Sequence, residues 1–131
     1  MFFREGKENQ GWGKIEIDMG IADKIYKRKE KNRLKIRRNA LKDAKHIAYV
    51  LGRHFGAKEV ILYGSLSQGK YFDRASDIDI AVKGLEEKYL KAYGYCLRLS
   101  KFDLDLRSYE DMPHWFRERV NKQGRCLYAK K

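Results

Sequence analysis

Leu62-Tyr63-Gly64-Ser65-Leu66-Ser67-Gln68-Gly69, followed by Ser76-Asp77-Ile78-Asp79-Ile80, is the stretch on which the reading of this 131-residue chain turns. Val60-Ile61-Leu62-Tyr63 is a short apolar run with a β-branched start, which predicts a buried strand ended by Gly64. Asp77 to Val82 alternates strictly and predicts a second strand. Asp77 and Asp79 then leave one face, while Ile78, Ile80 and Val82 turn to the other, into the core. Two carboxylates so close repel each other. A divalent cation relieves that repulsion, and Mg²⁺ prefers hard oxygen ligands with further sites left for water and phosphate. Two such ions can clamp the attacking and leaving oxygens of a phosphoryl or nucleotidyl transfer. Gly64 and Gly69 bound a turn whose backbone N–H groups can approach an anion closely, and the Ser65 hydroxyl can donate to a phosphate oxygen.

Working outward, Phe102-Asp103-Leu104-Asp105-Leu106 alternates again, as a third strand with two more acids on one face. Beside the Asp77 strand, one of these would complete a metal site and accept a proton from an incoming hydroxyl. Leu34, Leu41, Ala44, Ala48, Leu51 and Phe55 recur at helical spacing within a predicted helix over 22–55, with Gly56 as its stop. A further helix is expected over 85–99, with Leu85, Tyr89, Tyr93 and Cys96 inward. Met112, Phe116 and Val120 mark a short helix closed by Gly124, with Ser108 or Asp111 as N-cap. Cys126-Leu127-Tyr128 reads as a last strand. The fold class is therefore α/β (α+β), a small mixed sheet of about four strands flanked by helices. Before it, Gly11-Trp12-Gly13 suggests a turn, and Ile15 and Ile17 alternate with polar residues as in a short strand. Residues 1–20 are read as an N-terminal extension and 21–131 as one domain.

Size and charge set the limits. At this length the chain holds one core and has no room for a second substrate domain. The 43% hydrophobic share excludes bulk disorder, and a net charge of +12 favours polyanions or acidic partners. Eleven lysines and arginines against three acids (Asp23, Glu30, Asp43) concentrate that charge in residues 22–45. Nucleic acid could bind there through its phosphates, although a solvated helix face or a docking surface for an acidic partner is the plainer reading. Only Tyr26 is available for base stacking. Two cysteines without metal spacing exclude a disulfide scaffold or a four-Cys zinc site, and both read as small core residues. No membrane span and no signal-type apolar segment is seen, so a cytoplasmic location is expected. Taken singly, a Gly-Ser turn is an ordinary turn and an Asp-x-Asp is a solvated strand face. Two acid pairs on strands in so basic a protein are not explained by solubility.

With these residues in hand, the chain resembles the DNA polymerase β-like nucleotidyltransferase superfamily, and most of all the minimal nucleotidyltransferases often encoded beside a HEPN-domain partner. The shared marks are Gly64-Ser65, a loop, Asp77-x-Asp79, a later strand with a third Asp, and the closing Asn121-Lys122-Gln123-Gly124-Arg125-Cys126-Leu127-Tyr128. The resemblance covers about residues 45 to 129. It implies that Gly64, Ser65 and Gly69 hold the triphosphate of ATP and that Asp77 and Asp79 bind Mg²⁺. Asp105 would be the third carboxylate, with Asp103 as runner-up. It also implies an antitoxin that transfers AMP from ATP to a tyrosine hydroxyl of a HEPN-domain toxin. The alternative is a module that neutralises its partner by contact alone. The chain departs from the family in an eleven-residue loop, Leu66 to Ser76, where ten are common. It also has Gln68 where an arginine is common, with Lys70 or Arg74 as substitutes for that charge.

Overall fold

The computed structural model describes the backbone of residues 12–131 and the side chains from Gly20 onward. The chain divides into two units, residues 1–35 and 36–131. In the first unit the described backbone is helical from Trp12, the start of α1 (Trp12–Arg53). The strand expected at Ile15 and Ile17 is thus a helix. An alternation of two residues is too short to outweigh a chain rich in helix-favouring Lys, Glu and Ile-x-x-x spacing. Gly11 lies outside the described residues. Asp23 pairs with Lys27 at 3.1 Å and Glu30 with Arg33, the i,i+4 and i,i+3 contacts of an exposed helix. Lys24, Arg28, Lys29, Lys31 and Lys35 are exposed.

The second unit is built on a four-stranded mixed sheet in the order β3-β2-β1-β4, from β1 (Glu59–Tyr63), β2 (Asp77–Lys83), β3 (Asp103–Ser108) and β4 (Arg125–Ala129). β1 is antiparallel to β2 and β4, and β2 is parallel to β3. A parallel neighbour requires a crossover. It is supplied by a 3₁₀ turn (Glu86–Lys88) and helix α3 (Tyr89–Leu99). The short helix α2 (Ser65–Gln68) follows β1, and α4 (His114–Gln123) precedes β4.

Alternation along the strands makes two cores. Val60, Leu62, Ile78, Ile80, Val82, Leu104 and Leu106 face α1 and α3, where Ala40, Ala44, Ile47, Ala48, Leu51, Ala92 and Cys96 are buried. Ile61, Tyr63 and Ala81 face the other way, onto Met112, Phe116 and Val120. The expected stripe on α1 is buried from Ala40 on, whereas Leu34 is 55% exposed. Periodicity marks a face but not how far along it the sheet reaches. Gly56, with φ 75°, ends the helix, and Ala57 N–H donates to the Leu51 carbonyl at 3.0 Å.

Three smaller expectations are corrected. Cys126 is exposed, because edge strand β4 turns that position outward. Met112 lies before α4, in the segment after the 3₁₀ turn Tyr109–Asp111. Pro113 holds the N-cap position of α4 without a side-chain bond, so neither Ser108 nor Asp111 caps it. Proline's fixed φ enters the helix without a capping oxygen. Tyr89 and Tyr93 donate their hydroxyls to the carbonyls of Leu106 and Leu104, at 2.5 and 2.9 Å, covering the free edge of β3. Among the described residues, no helix is long and apolar enough to cross a membrane.

Candidate active site

β1 delivers Tyr63 to the mouth of a cleft and breaks at Gly64, whose φ of 78° belongs to the left-handed half of the map. Ser65 opens α2, and Gly69, with φ 73°, closes it. On the neighbouring strand Asp79 stands opposite Tyr63, and across the parallel pair it stands opposite Asp105. Asp77 stands opposite Asp103 in the same way. The acids therefore form two rows on the α4 face of the sheet, one at the cleft and one a step outward.

The inner row is the constrained one. Asp79 is half-buried, and its carboxyl is pushed up to about 6 by burial first, then by the Asp105 and Asp77 charges, with Arg107 opposing. Arg107, two residues beyond Asp105 on β3, sets its guanidinium 3.3 Å from the Asp105 carboxylate and packs over the Phe116 ring, 5.3 Å from its centroid. Burial first, then the Asp105 and Asp79 charges, also raise the Tyr63 phenol above its ordinary range. Around them a cleft of about 490 Å³ is lined by Gly64, Ser65, Gln68, Lys70, Arg119 and Gln123 as well as the acids. It thus presents two carboxylates, three cationic side chains and a glycine turn to one space, a mixture suited to a metal-bound polyphosphate.

Not every expected residue enters it. Asp77, Asp103 and Gly69 are absent from the lining. Arg74 lines a separate cavity with Asn39, Lys42 and Lys101, so of the two substitutes considered for the Gln68 charge only Lys70 reaches the cleft. Arg107 and Arg119 were not singled out in the sequence. The signal for Arg107 was its period-two spacing from Asp105; Arg119 had no local signal, since only the packing of α4 brings it in. The longer loop is held in place by Phe72, buried against Phe102, and by Asp73, whose carboxylate accepts from Ala75 N–H at 2.9 Å.

Among the described residues no group of three or more His, Cys, Asp or Glu is close enough to hold an ion unaided. Asp79 and Asp105, adjacent across the parallel pair and with the Asp105 charge helping to raise the Asp79 carboxyl, still fit Mg²⁺, which usually takes one or two protein carboxylates and completes its shell with water and substrate phosphates.

The model of the polymerase beta nucleotidyltransferase family matches residues 45–131. The chain belongs to that family. As a polymerase beta-type nucleotidyltransferase, it carries the fold expected from Gly64-Ser65 and Asp77-x-Asp79. Among solved structures, a toxin-antitoxin crystallised with AMP-PNP is similar at 25% identity and a TM-score of 0.56, covering 66% of this chain and 74% of that one. A mutant of the toxin-antitoxin MntA-HpeT aligns with the same TM-score at 22% identity, covering 66% and 74%, and shares the fold. No curated protein matches this nucleotidyltransferase.

Proposed function

We propose that this nucleotidyltransferase is Mg²⁺-dependent and moves AMP from ATP to a hydroxyl of a partner protein, as the antitoxin of a HEPN-domain toxin. The reading rests on the register that sets Asp79 beside Asp105 at the mouth of the Gly64-Ser65 turn. The similar structure with AMP-PNP supports an adenine nucleotide, and its toxin-antitoxin character supports a toxin as partner.

In this scheme Asp79 and Asp105, which line the cleft, would hold the metal, and Asp77, one step outward on the same face of β2, would join them as a third ligand once the ion is bound. When bound, Mg²⁺ neutralises phosphate charge and lowers the barrier to attack at phosphorus. The Gly64-Ser65 turn receives the β- and γ-phosphates, and Lys70 and Arg119 offset their remaining charge. Asp105, oriented by Arg107, accepts the proton of the acceptor hydroxyl. The hydroxyl oxygen bonds to the α-phosphorus, the bond from that phosphorus to the bridging oxygen breaks, and pyrophosphate leaves.

The test is intact-mass spectrometry of the candidate toxin after incubation with this protein, ATP and Mg²⁺, with Asp77→Ala/Asp79→Ala in parallel. One or more AMP additions, lost in the double variant, are expected. A stable complex formed by both versions with no mass gain would replace the enzyme with a contact inhibitor.

A further inference from the structure

Helix α2 is a single turn, too short to be stable by itself. Its carbonyl end would be left with unsatisfied oxygens. One side chain supplies donors to that end from far away in sequence. Arg37, on α1, donates from Nη2 to the Leu66 carbonyl at 2.5 Å and from Nη1 to the Lys70 carbonyl at 3.1 Å. These two oxygens bracket the left-handed Gly69. A guanidinium fits the task because its donors sit in a rigid planar fork, and its positive charge stands at the negative end of the helix. On the opposite side Ser67 donates its hydroxyl to the Gln123 carbonyl at 2.9 Å.

We propose that Arg37 is a positioning residue for nucleotide binding. By clamping the carbonyl end of α2, it holds the Ser65–Lys70 backbone in the shape that presents the Gly64-Ser65 turn and Lys70 to the phosphates. This rests on the reading of that turn as the phosphate site. Arg37 precedes residues 45–131, which match the family, so the clamp belongs to the part of the helix outside the shared domain. It also brings a guanidinium from α1 to a turn whose own sequence carries Gln68. That side chain lines the cleft.

The experiment uses the full chain with Arg37→Gln and Arg37→Lys. The amides of Gln68 and Lys70 donate to the Gly64 and Ser65 carbonyls, both at 3.1 Å, so their hydrogen exchange reports the turn directly. In Arg37→Gln these amides should exchange at least about ten-fold faster while core amides such as those of Ile80 and Val82 do not change. The KM for MgATP should rise about ten-fold with kcat within about two-fold. Arg37→Lys, which keeps the charge but not the fork, should restore only part of the affinity. Unchanged exchange at Gln68 and Lys70 would overturn the clamp. Faster exchange with an unchanged KM, in a protein whose Ser65→Ala variant binds MgATP less tightly, would overturn its role in nucleotide binding. Faster exchange in a protein that binds MgATP equally well with Gly64 and Ser65 replaced would leave the clamp standing and sink the phosphate-site reading instead. A general loss of core protection in Arg37→Gln, repeated in Arg37→Lys, would reduce Arg37 to a fold-stabilising residue and also overturn the proposal.

Discussion

The Asp79 carboxylate lies against the bare Cα of Gly64: a Cβ built there would overlap Oδ2 of Asp79 and come within 3.1 Å of its Cγ. Turn and acid are packed as one unit, so the backbone N–H groups after Gly64 and the carboxylate face the same space.

Gly64→Ala is therefore expected to fail on two counts. Its φ of 78° is costly for any residue with a Cβ, and the methyl would displace Asp79. The backbone contribution alone is of order 1–3 kcal/mol. Thermal unfolding should show a lower Tm, and MgATP binding by calorimetry should fall beyond detection. Full binding with an unchanged Tm would show that Asp79 can move aside without loss.

Proton uptake by Asp79 gives a pH dependence of known sign. Its folded pKa, about 6, lies above the ordinary 3.8, so the folded state binds more protons than the unfolded one between these values. The metal-free protein should then lose stability as pH rises from about 4 to about 6, and Mg²⁺ should return part of it above pH 6. Asp79→Asn should remove this slope and raise Tm at neutral pH while abolishing transfer. Melting curves in chelator and in Mg²⁺ across that range decide it; a Tm that climbs through the window in the chelated wild type would contradict the raised pKa.

Asp105 and Asp103 stand two register positions apart on one face of β3, which separates their expected phenotypes. Asp105→Asn should lower the transfer rate by about 10²–10⁴, the usual worth of a positioned base. Asp103→Asn, outside the cleft, should keep activity within a few-fold. Single-turnover rates at saturating MgATP compare the two, and equal losses would place the outer acid row in the chemistry as well.

Tyr93→Phe removes one hydroxyl from the carbonyl edge of β3 and should cost about 0.5–1.5 kcal/mol. The double variant with Tyr89→Phe should also aggregate faster on heating, because two edge carbonyls lose their cover. Denaturant melts and light scattering test this. Unaltered scattering would mean that packing of α3 protects the edge without the hydroxyls.

Much of this was legible locally. Strand alternation at Asp77–Val82 and Phe102–Leu106 needs no partner to be recognised, because each residue's face follows from its own backbone geometry. That is why both acid pairs could be assigned to one face each, and why the Gly64 break could be read as a turn. Helix α2 was not legible, since one turn has no period to detect, and the exposed Leu34 and Cys126 show that pattern alone does not reveal what covers a face.

The sequence by itself determined the four strands of the sheet, the helical stretches over 22–55 and 85–99, and the family to which Gly64-Ser65 and Asp77-x-Asp79 point. Only the tertiary structure decided the strand order β3-β2-β1-β4, the parallel register that seats Asp105 rather than Asp103 beside Asp79, and the arrival of Lys70, Arg107 and Arg119 in one cleft. The reason is physical. Which face a residue takes is set by its own φ and ψ and its immediate neighbours, whereas register and convergence depend on contacts between segments tens of residues apart, which no local pattern encodes.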